Sequence, residues 1–445
     1  MIEKGPLIYR IFLIIFWVGT CLGFVSEDLF PPLNSMRSYI FIILDLLIVI
    51  AGVLAVKKKW QKWSIIFFFC LAFLSTIIIN KYTNVVFING CRDFFGLLFI
   101  LPIVYYLHIT DEQYHFVSKF DKHLKAFLFV QCFCTVVQFA KHGAGDFVGG
   151  SFGNGYSGVL SMVIYMTSFY LMNKNFDRAH YFASLKKNWV LIFLLYPTFL
   201  NETKASFIYL FAYLVLLNKV EFKTVLKLLA FSPVIFGVFF GLFYLYSVIT
   251  EQDFDELTGE EFYQDYLVGE DPDELIEICQ MYYEGAFDNE DENVWATDLP
   301  RFTKILLLGN VLEDSKGGLI LGEGVGQMKG NTVLSKTRFA EKYEWYLVGS
   351  RTFVMTCVIQ LGIIGFCWFL FVLFKSLSFR NNKSITSFNV KLYLLMFALF
   401  MLIYNDAFQN AFFCIFYFYI AASTVNMTNK PLLKEESSEL AQSNV

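Results

Sequence analysis

Apolar stretches of about 17–25 residues recur along this chain, and that length crosses the ~30 Å hydrocarbon core of a bilayer. In lipid every backbone N–H and C=O must be satisfied inside its own segment, so such stretches fold as helices. The composition agrees: 56% hydrophobic, 19% aromatic and only 17% charged residues lie outside the range of soluble domains. The pattern predicts an all-α polytopic membrane protein of twelve spans, at residues 7–25, 38–56, 63–79, 94–109, 124–140, 157–172, 189–200, 205–217, 226–248, 352–374, 392–404 and 407–425. The seventh and eighth are short. Read as one helix, 189–217 would run about 43 Å, too long for the core, and Pro197 with Asn201-Glu202-Thr203-Lys204 predicts a turn.

The basic residues test this count. With both termini cytoplasmic, the inner segments carry 22 of the 35 basic residues, among them Lys57, Lys58 and Lys59, whereas the short outer loops hold only Arg37, Lys81, Arg92, Lys141 and Lys204. This is the positive-inside asymmetry of a cytoplasmic (inner) membrane protein. The chain then divides into spans one to nine (1–249), an external loop (250–351), spans ten to twelve (352–425) and a solvated cytoplasmic tail (426–445). The first span lacks a cleavage pattern after Ser26-Glu27-Asp28 and reads as an anchor.

The external loop holds 23 of the 39 acidic residues and 8 of the basic ones. A carrier has little use for about a hundred polar residues on one side of the bilayer, whereas an enzyme acting on lipid-linked, water-facing substrates does. Within it, Asp271-Pro272-Asp273-Glu274 predicts a helix start and Gly285 its end. A second helix is expected at 298–312 with Phe302, Ile305, Leu306 and Leu312 on one face, then a glycine-rich turn at 317–326, then a third helix at 337–347 carrying Phe339, Tyr343, Trp345 and Tyr346 at the membrane surface. The nine cysteines form neither a disulfide framework nor a zinc spacing, and no cofactor or metal is implied. The basic residues are accounted for by topology, which argues against nucleic acid. Asp45 stands inside the second span with no cation evident in another span, and reads as a packing hydrogen bond or an entrance feature.

Four pieces of the chain, in order, resemble the superfamily of O-antigen polymerases and ligases. They are Gly149-Gly150-Ser151-Phe152-Gly153-Asn154-Gly155 entering a span; Asn201-Glu202-Thr203-Lys204-Ala205-Ser206 starting the eighth; Arg301-Phe302-Thr303-Lys304-Ile305 followed by Leu321-Gly322-Glu323-Gly324-Val325-Gly326; and Gln360-Leu361-Gly362-Ile363-Ile364-Gly365-Phe366 after the loop. The resemblance implies a GT-C-like layout, with twelve spans and the large loop between the ninth and tenth. It implies a membrane glycosyltransferase that joins polyprenyl-diphosphate-linked oligosaccharide repeats into O-antigen or capsular polysaccharide, in contact with membrane lipid and with a chain-length regulator and a flippase as further partners. Family ligases carry a histidine late in the loop. This loop contains none, which favours polymerase over ligase. Lys204 stands where the family often places arginine, so the charge is kept but the planar fork is lost.

Glycosyl transfer from a polyprenyl diphosphate needs fixed cations at the leaving group and a base for the acceptor hydroxyl. Arg301, Lys204 and Arg351 are the expected diphosphate clamp, with Arg92, Arg338, Glu323 and Gly324 in substrate binding. Arg351 and Gly362 also match an Arg-x10-Gly pattern described for some polymerases. The bland reading is that these cations snorkel or pair with a near acid, Arg92 with Asp93 and Lys204 with Glu202. Glu202, Glu323, Glu344, Asp406 and His142 are the outer-face bases. Gly322-x-Gly324-x-Gly326 lacks the strand and the Lys-Ser/Thr of a nucleotide site and is expected to be a close turn. A twelve-span flippase or transporter and a sensor or assembly partner are the readings from other classes.

Overall fold

The structure is a computed structural model that describes residues 3–143, 145, 147–201, 205–218, 301–313, 315–328, 336–349, 351–377 and 385–424. The predicted ninth span, the acidic stretch with its helix at Asp271, and the tail lie outside these residues. In chain order the helices are α1 (Lys4–Phe24), α2 (Arg37–Ala55), α3 (Lys59–Phe73), α4 (Asn84–Arg92), α5 (Leu101–Ile109), α6 (Asp111–Tyr114), α7 (Phe116–His142), α8 (Ser157–Asn173), α9 (Tyr181–Lys187), α10 (Trp189–Phe193), α11 (Pro197–Leu200), α12 (Ser206–Leu216), α13 (Arg301–Leu306), α14 (Leu308–Val311), α15 (Gly318–Leu321), α16 (Arg338–Lys342), α17 (Glu344–Leu347), α18 (Phe353–Leu377), α19 (Ile385–Tyr404) and α20 (Ala411–Ser423). There is no strand among the described residues.

Six helical stretches are long and apolar enough to cross a membrane: Lys4–Leu29, Pro31–Ala55, Lys59–Ile79, Phe116–His142, Phe353–Leu377 and Thr386–Tyr404. Their packing is that of a protein in lipid. On α2, Leu44, Ile48, Ala51 and Ala55 are buried, while Ile42, Ile43, Leu46, Ile50 and Val53 are exposed apolar side chains. In water that face would be a liability. The shorter helices α8 and α20 form the centre, with nearly every side chain enclosed.

Helix ends collect in two groups. At one end, Lys57 and Lys58 stand over the rings of Tyr106 and Tyr105, Lys174 pairs with Asp121, and His108 Nε2 lies 2.9 Å from Ser423 Oγ. At the other, Arg37 pairs with Glu27, Lys141 Nζ lies 3.2 Å from an Asp28 oxygen, and Asn201 donates to the Ser157 carbonyl at 3.0 Å. Residues that the charge pattern assigns to one side thus meet one another.

Four expectations are corrected in detail. The fourth span, expected to start at Phe94, is a bent pair, Asn84–Arg92 and Gly96–Ile109, with a 55° angle between the parts. Asp45 has a cationic partner from another span: both Nε and Nη2 of Arg92 lie 2.8 Å from its Oδ2. The pairing of Arg92 is therefore with Asp45, 47 residues away along the chain, and the bend brings the two together. In the loop, the helix at 298–312 is two short ones, α13 and α14, and their buried side chains include Leu307, Leu308, Val311 and Leu312 while Leu306 is exposed. The helix expected at 337–347 is likewise split into α16 and α17, with Thr337 capping the first through a hydrogen bond from the Ala340 N–H.

Candidate functional site

Two of the quoted motifs interlock. Helix α18 is broken at Gly362, which adopts φ 65° and ψ −171°, and a Cβ at that position would overlap the carbonyl of Ile320. Only glycine fits both the left-handed backbone and this approach. The segment from α15 through Gly326 lies in the break: the Glu323 N–H donates to the Ile359 carbonyl at 2.7 Å and the Gly326 N–H to Gln360 Oε1 at 2.9 Å. The π-helical end of α3 holds the other side. Ser75 Oγ donates to the Leu321 carbonyl at 2.7 Å, Asn80 Nδ2 to the Gly322 carbonyl at 3.0 Å, and Thr76 Oγ1 accepts the Val325 N–H at 2.9 Å. Gly324, at φ 102°, lies against Thr76, where a Cβ would come 2.8 Å from the threonine Oγ1. Its role is thus close approach to α3, the turn function expected from sequence.

Arg301 begins α13, and its guanidinium lies over the ring of Tyr404, 4.5 Å from the centroid. A guanidinium over an aromatic face is attracted by the ring's negative quadrupole. Tyr404 ends α19, and the following Asn405 accepts the Phe353 N–H through its carbonyl at 3.1 Å. The first turn of α8, which follows the glycine turn at 149–155, lies beside Tyr404: a Cβ on Gly158 would be 3.8 Å from its ring. Asn201 fastens the start of the next motif to the same turn, donating to Ser157 O at 3.0 Å and Ser161 Oγ at 2.9 Å. From α12 comes Tyr209, fully buried, its ring 4.6 Å from that of Phe397 and 5.4 Å from that of Phe400 on α19, with no hydrogen-bond partner for its hydroxyl among the described residues. The first turn of α8 thus lies against both Tyr404, which carries Arg301, and Asn201. Lys304, one turn on, is buried and donates to the Val348 carbonyl at 2.6 Å, while its own carbonyl accepts the Tyr346 hydroxyl, which ties α13 to the segment around α17.

A cleft of about 290 Å3 opens between the glycine segment and α16, lined by Asn80, Tyr82, Lys316, Glu323, Arg338 and Lys342 among others. The Tyr82 hydroxyl donates to Glu323 Oε1. Burial, and then this carboxylate, raise the Tyr82 pKa, so the phenol keeps its proton and remains a donor through ordinary pH.

The structure places the expected site residues in different settings. Arg301 is at the junction just described. Lys204, like Glu202 and Lys329, lies outside the described residues. Arg351 clasps backbone, with Nε donating to the Leu347 carbonyl at 3.0 Å and Nη1 to the Met328 carbonyl at 2.7 Å. Arg92 is engaged by Asp45, and Arg338 and Glu323 line the cleft. Of the other bases, Glu344 pairs with Lys336, His142 lies 3.7 Å from Asp28, and Asp406 follows Tyr404 in the same link. Sequence reasoning missed Tyr404, Tyr209 and Tyr82. Tyr404 carried a signal, since Tyr-Asn-Asp interrupts an apolar stretch, whereas Tyr209 is one aromatic among many. Among the described residues no group of three or more His, Cys, Asp or Glu is arranged to hold a metal. No protein-family model matches the chain, and no curated protein does.

Proposed function

We propose that this chain is a membrane glycosyltransferase with twelve spans, which polymerises polyprenyl-diphosphate-linked oligosaccharide repeats into O-antigen or capsular polysaccharide on the outer face of the cytoplasmic membrane. The observation that supports the reading is Arg301 on the Tyr404 ring, beside the turn of α8 to which Asn201 is fastened. A guanidinium held in a low-dielectric site, beside hydroxyls and next to lipid, suits the leaving group of this reaction. The acceptor hydroxyl attacks the anomeric carbon, the bond from that carbon to the diphosphate oxygen breaks, and the proton passes to a base. The charge growing on the diphosphate is what Arg301 stabilises. Lys204 enters two residues before Ser206, the first residue of α12, and is the second cation of the proposed clamp. Arg351 acts in this scheme by positioning the glycine segment.

The test is the polysaccharide ladder on a gel, with membrane abundance checked by blot. Arg301→Ala removes a charge-assisted contact of about 1.5–3 kcal/mol, a loss of roughly 10- to 150-fold if it acts in the transition state. Arg301→Lys should recover only part, because lysine lacks the planar fork. Exported single repeats in place of long chains support the clamp. A full ladder from Arg301→Ala at normal abundance returns this arginine to a packing role.

One observation favours a second reading, a flippase or transporter of lipid-linked oligosaccharide. The bent pair at Arg92 to Gly96 and the break at Gly362 both flank the glycine segment, and discontinuous helices are the usual binding elements of transporters. Repeats trapped on the inner side in a deletion strain would favour it over polymerisation.

A further inference from the structure

Helix α12 carries two hydroxyls that its own packing leaves unused. Its buried face is Ser206, Tyr209, Tyr213 and Leu216. Toward the end of the helix that face is satisfied: the Tyr213 hydroxyl lies 3.1 Å from Ser168 Oγ, and Asn389 of α19 donates to the Leu216 carbonyl at 2.5 Å. Toward its start the pairing stops. Ser206 is 3% exposed and Tyr209 fully buried, yet neither hydroxyl has a hydrogen-bond partner among the described residues. A polar group enclosed without a partner costs free energy, so two of them on one face, one turn apart, call for a polar occupant. Hydroxyls can donate, and the first turn of a helix carries the positive end of its dipole; the cap here is Ala205, whose side chain offers no oxygen to that end, so the position suits an anion. Tyr209 packs on Phe397 and Phe400 while Leu216 meets Asn389, so α12 and α19 run antiparallel, and the start of α12 is level with the end of α19, where Arg301 lies over Tyr404. The other side of α12, with Phe207, Ile208, Phe211 and Leu214 exposed, is a surface for hydrocarbon. An anion with an apolar chain fits each of these features.

We propose that the first turn of α12 binds the phosphate of a membrane lipid, with Ser206 Oγ and the Tyr209 hydroxyl donating to its oxygens and the acyl or isoprenyl chain against the exposed face of the helix. That the lipid is the glycan carrier, and Ser206 and Tyr209 a part of the diphosphate clamp, rests on the polymerase reading; the binding does not. A hydroxyl that donates to a phosphate oxygen makes a charge-assisted hydrogen bond, stronger than one between neutral groups.

The test uses the full chain in maltoside micelles, which hold no phosphate, read by calorimetry and by the thermal midpoint. The probes are farnesyl diphosphate and phosphatidic acid, with farnesol and inorganic pyrophosphate as the chain and the phosphate alone. One of the two lipids should bind roughly tenfold or more tightly than either control, and which of them does so identifies the source of the phosphate. Ser206→Ala and Tyr209→Phe should each weaken that binding roughly tenfold, yet leave the midpoint of the unliganded chain unchanged or higher, because each removes an unpaired hydroxyl. Tyr213→Phe removes a paired hydroxyl from the same face, and should lower the midpoint without weakening lipid binding. Either control binding as tightly as the lipids, an affinity untouched by both substitutions, or midpoints lowered as in Tyr213→Phe, which is what hydroxyls held by buried water would give, overturns the proposal. The polymerase reading fails separately. Variant-sensitive binding together with repeats trapped inside a deletion strain keeps the site and removes that reading; a Tyr209→Phe chain that binds the lipid like the parent and still loses the ladder does the reverse.

Discussion

An isolated carboxylate in the middle of a membrane helix costs about 2.5–3.5 kcal/mol, and Asp45 avoids that cost through Arg92. Neither side chain is sealed, at 19% exposure for Asp45 and 29% for Arg92, so the pair is worth less than a fully enclosed one. Removing one partner breaks the ion pair, though Arg92 keeps its hydrogen bond to Asn89 Oδ1. Asp45→Asn or Arg92→Gln alone should destabilise the protein by about 2–3 kcal/mol, below the 3–5 kcal/mol typical of fully buried pairs. The double substitution should cost clearly less than the sum, a coupling of about 1 kcal/mol or more. Thermal unfolding in detergent measures it, and strictly additive midpoint shifts would show that the two charges do not support each other. Sequence alone could place a carboxylate in the span, since its run of apolar neighbours is plain. It could not find the partner, because that depends on a bend 47 residues on.

At the scale of the element, the break in α18 and the glycine segment make one unit, and substitutions there should separate cleanly from harmless ones. Gly362→Ala forces a left-handed backbone on a residue with a Cβ and drives that Cβ into the Ile320 carbonyl. Strain and overpacking together should cost about 2–5 kcal/mol and loosen residues 317–326, seen as faster protease cleavage there. Gly309→Ala is the contrast. It lies in α14 with nothing among the described residues within 4 Å of the place a Cβ would take, and should be neutral or stabilising by up to about 1 kcal/mol. Equal cleavage rates for the parent and Gly362→Ala would mean that the break does not hold the loop. Helical character and the positions of the six long apolar helices were legible here because length and apolarity encode them directly. The interlock was not, because a Gln-Leu-Gly-Ile-Ile-Gly run reads as an unbroken apolar span until the Ile320 carbonyl is brought against it. Of the candidate site, Arg301 could be picked from its motif, while the Tyr404 ring that holds it arrives from a helix about a hundred residues later.

For the molecule as a whole, function depends on which end faces which compartment. The charge pattern assigns 22 basic residues to the inner side, and in space Lys4, Lys57, Lys58 and Lys174 gather at one end around Tyr105, Tyr106, Tyr170 and Asp121. The glycine segment, the cleft and Arg301 belong with the opposite set of helix ends, near Ser75, Asn201 and Asn405. An enzyme that joins exported repeats must have its site at the outer end. A Lys316→Cys chain in spheroplasts should therefore react with a membrane-impermeant maleimide, and a Lys58→Cys chain should react only after permeabilisation, each measured against the parent. Cys279, in the loop assigned to the outside, is first replaced by serine; among the described cysteines only Cys70 and Cys367 are exposed, on apolar helices where lipid would cover them. Both substitutions replace exposed lysines, so folding should survive. Labelling of Lys58→Cys in intact spheroplasts, with Lys316→Cys protected, would invert the molecule. The proposed diphosphate clamp would then face the cytoplasm, where no exported repeat is present, and the polymerase reading would fall whatever Arg301 proves to bind.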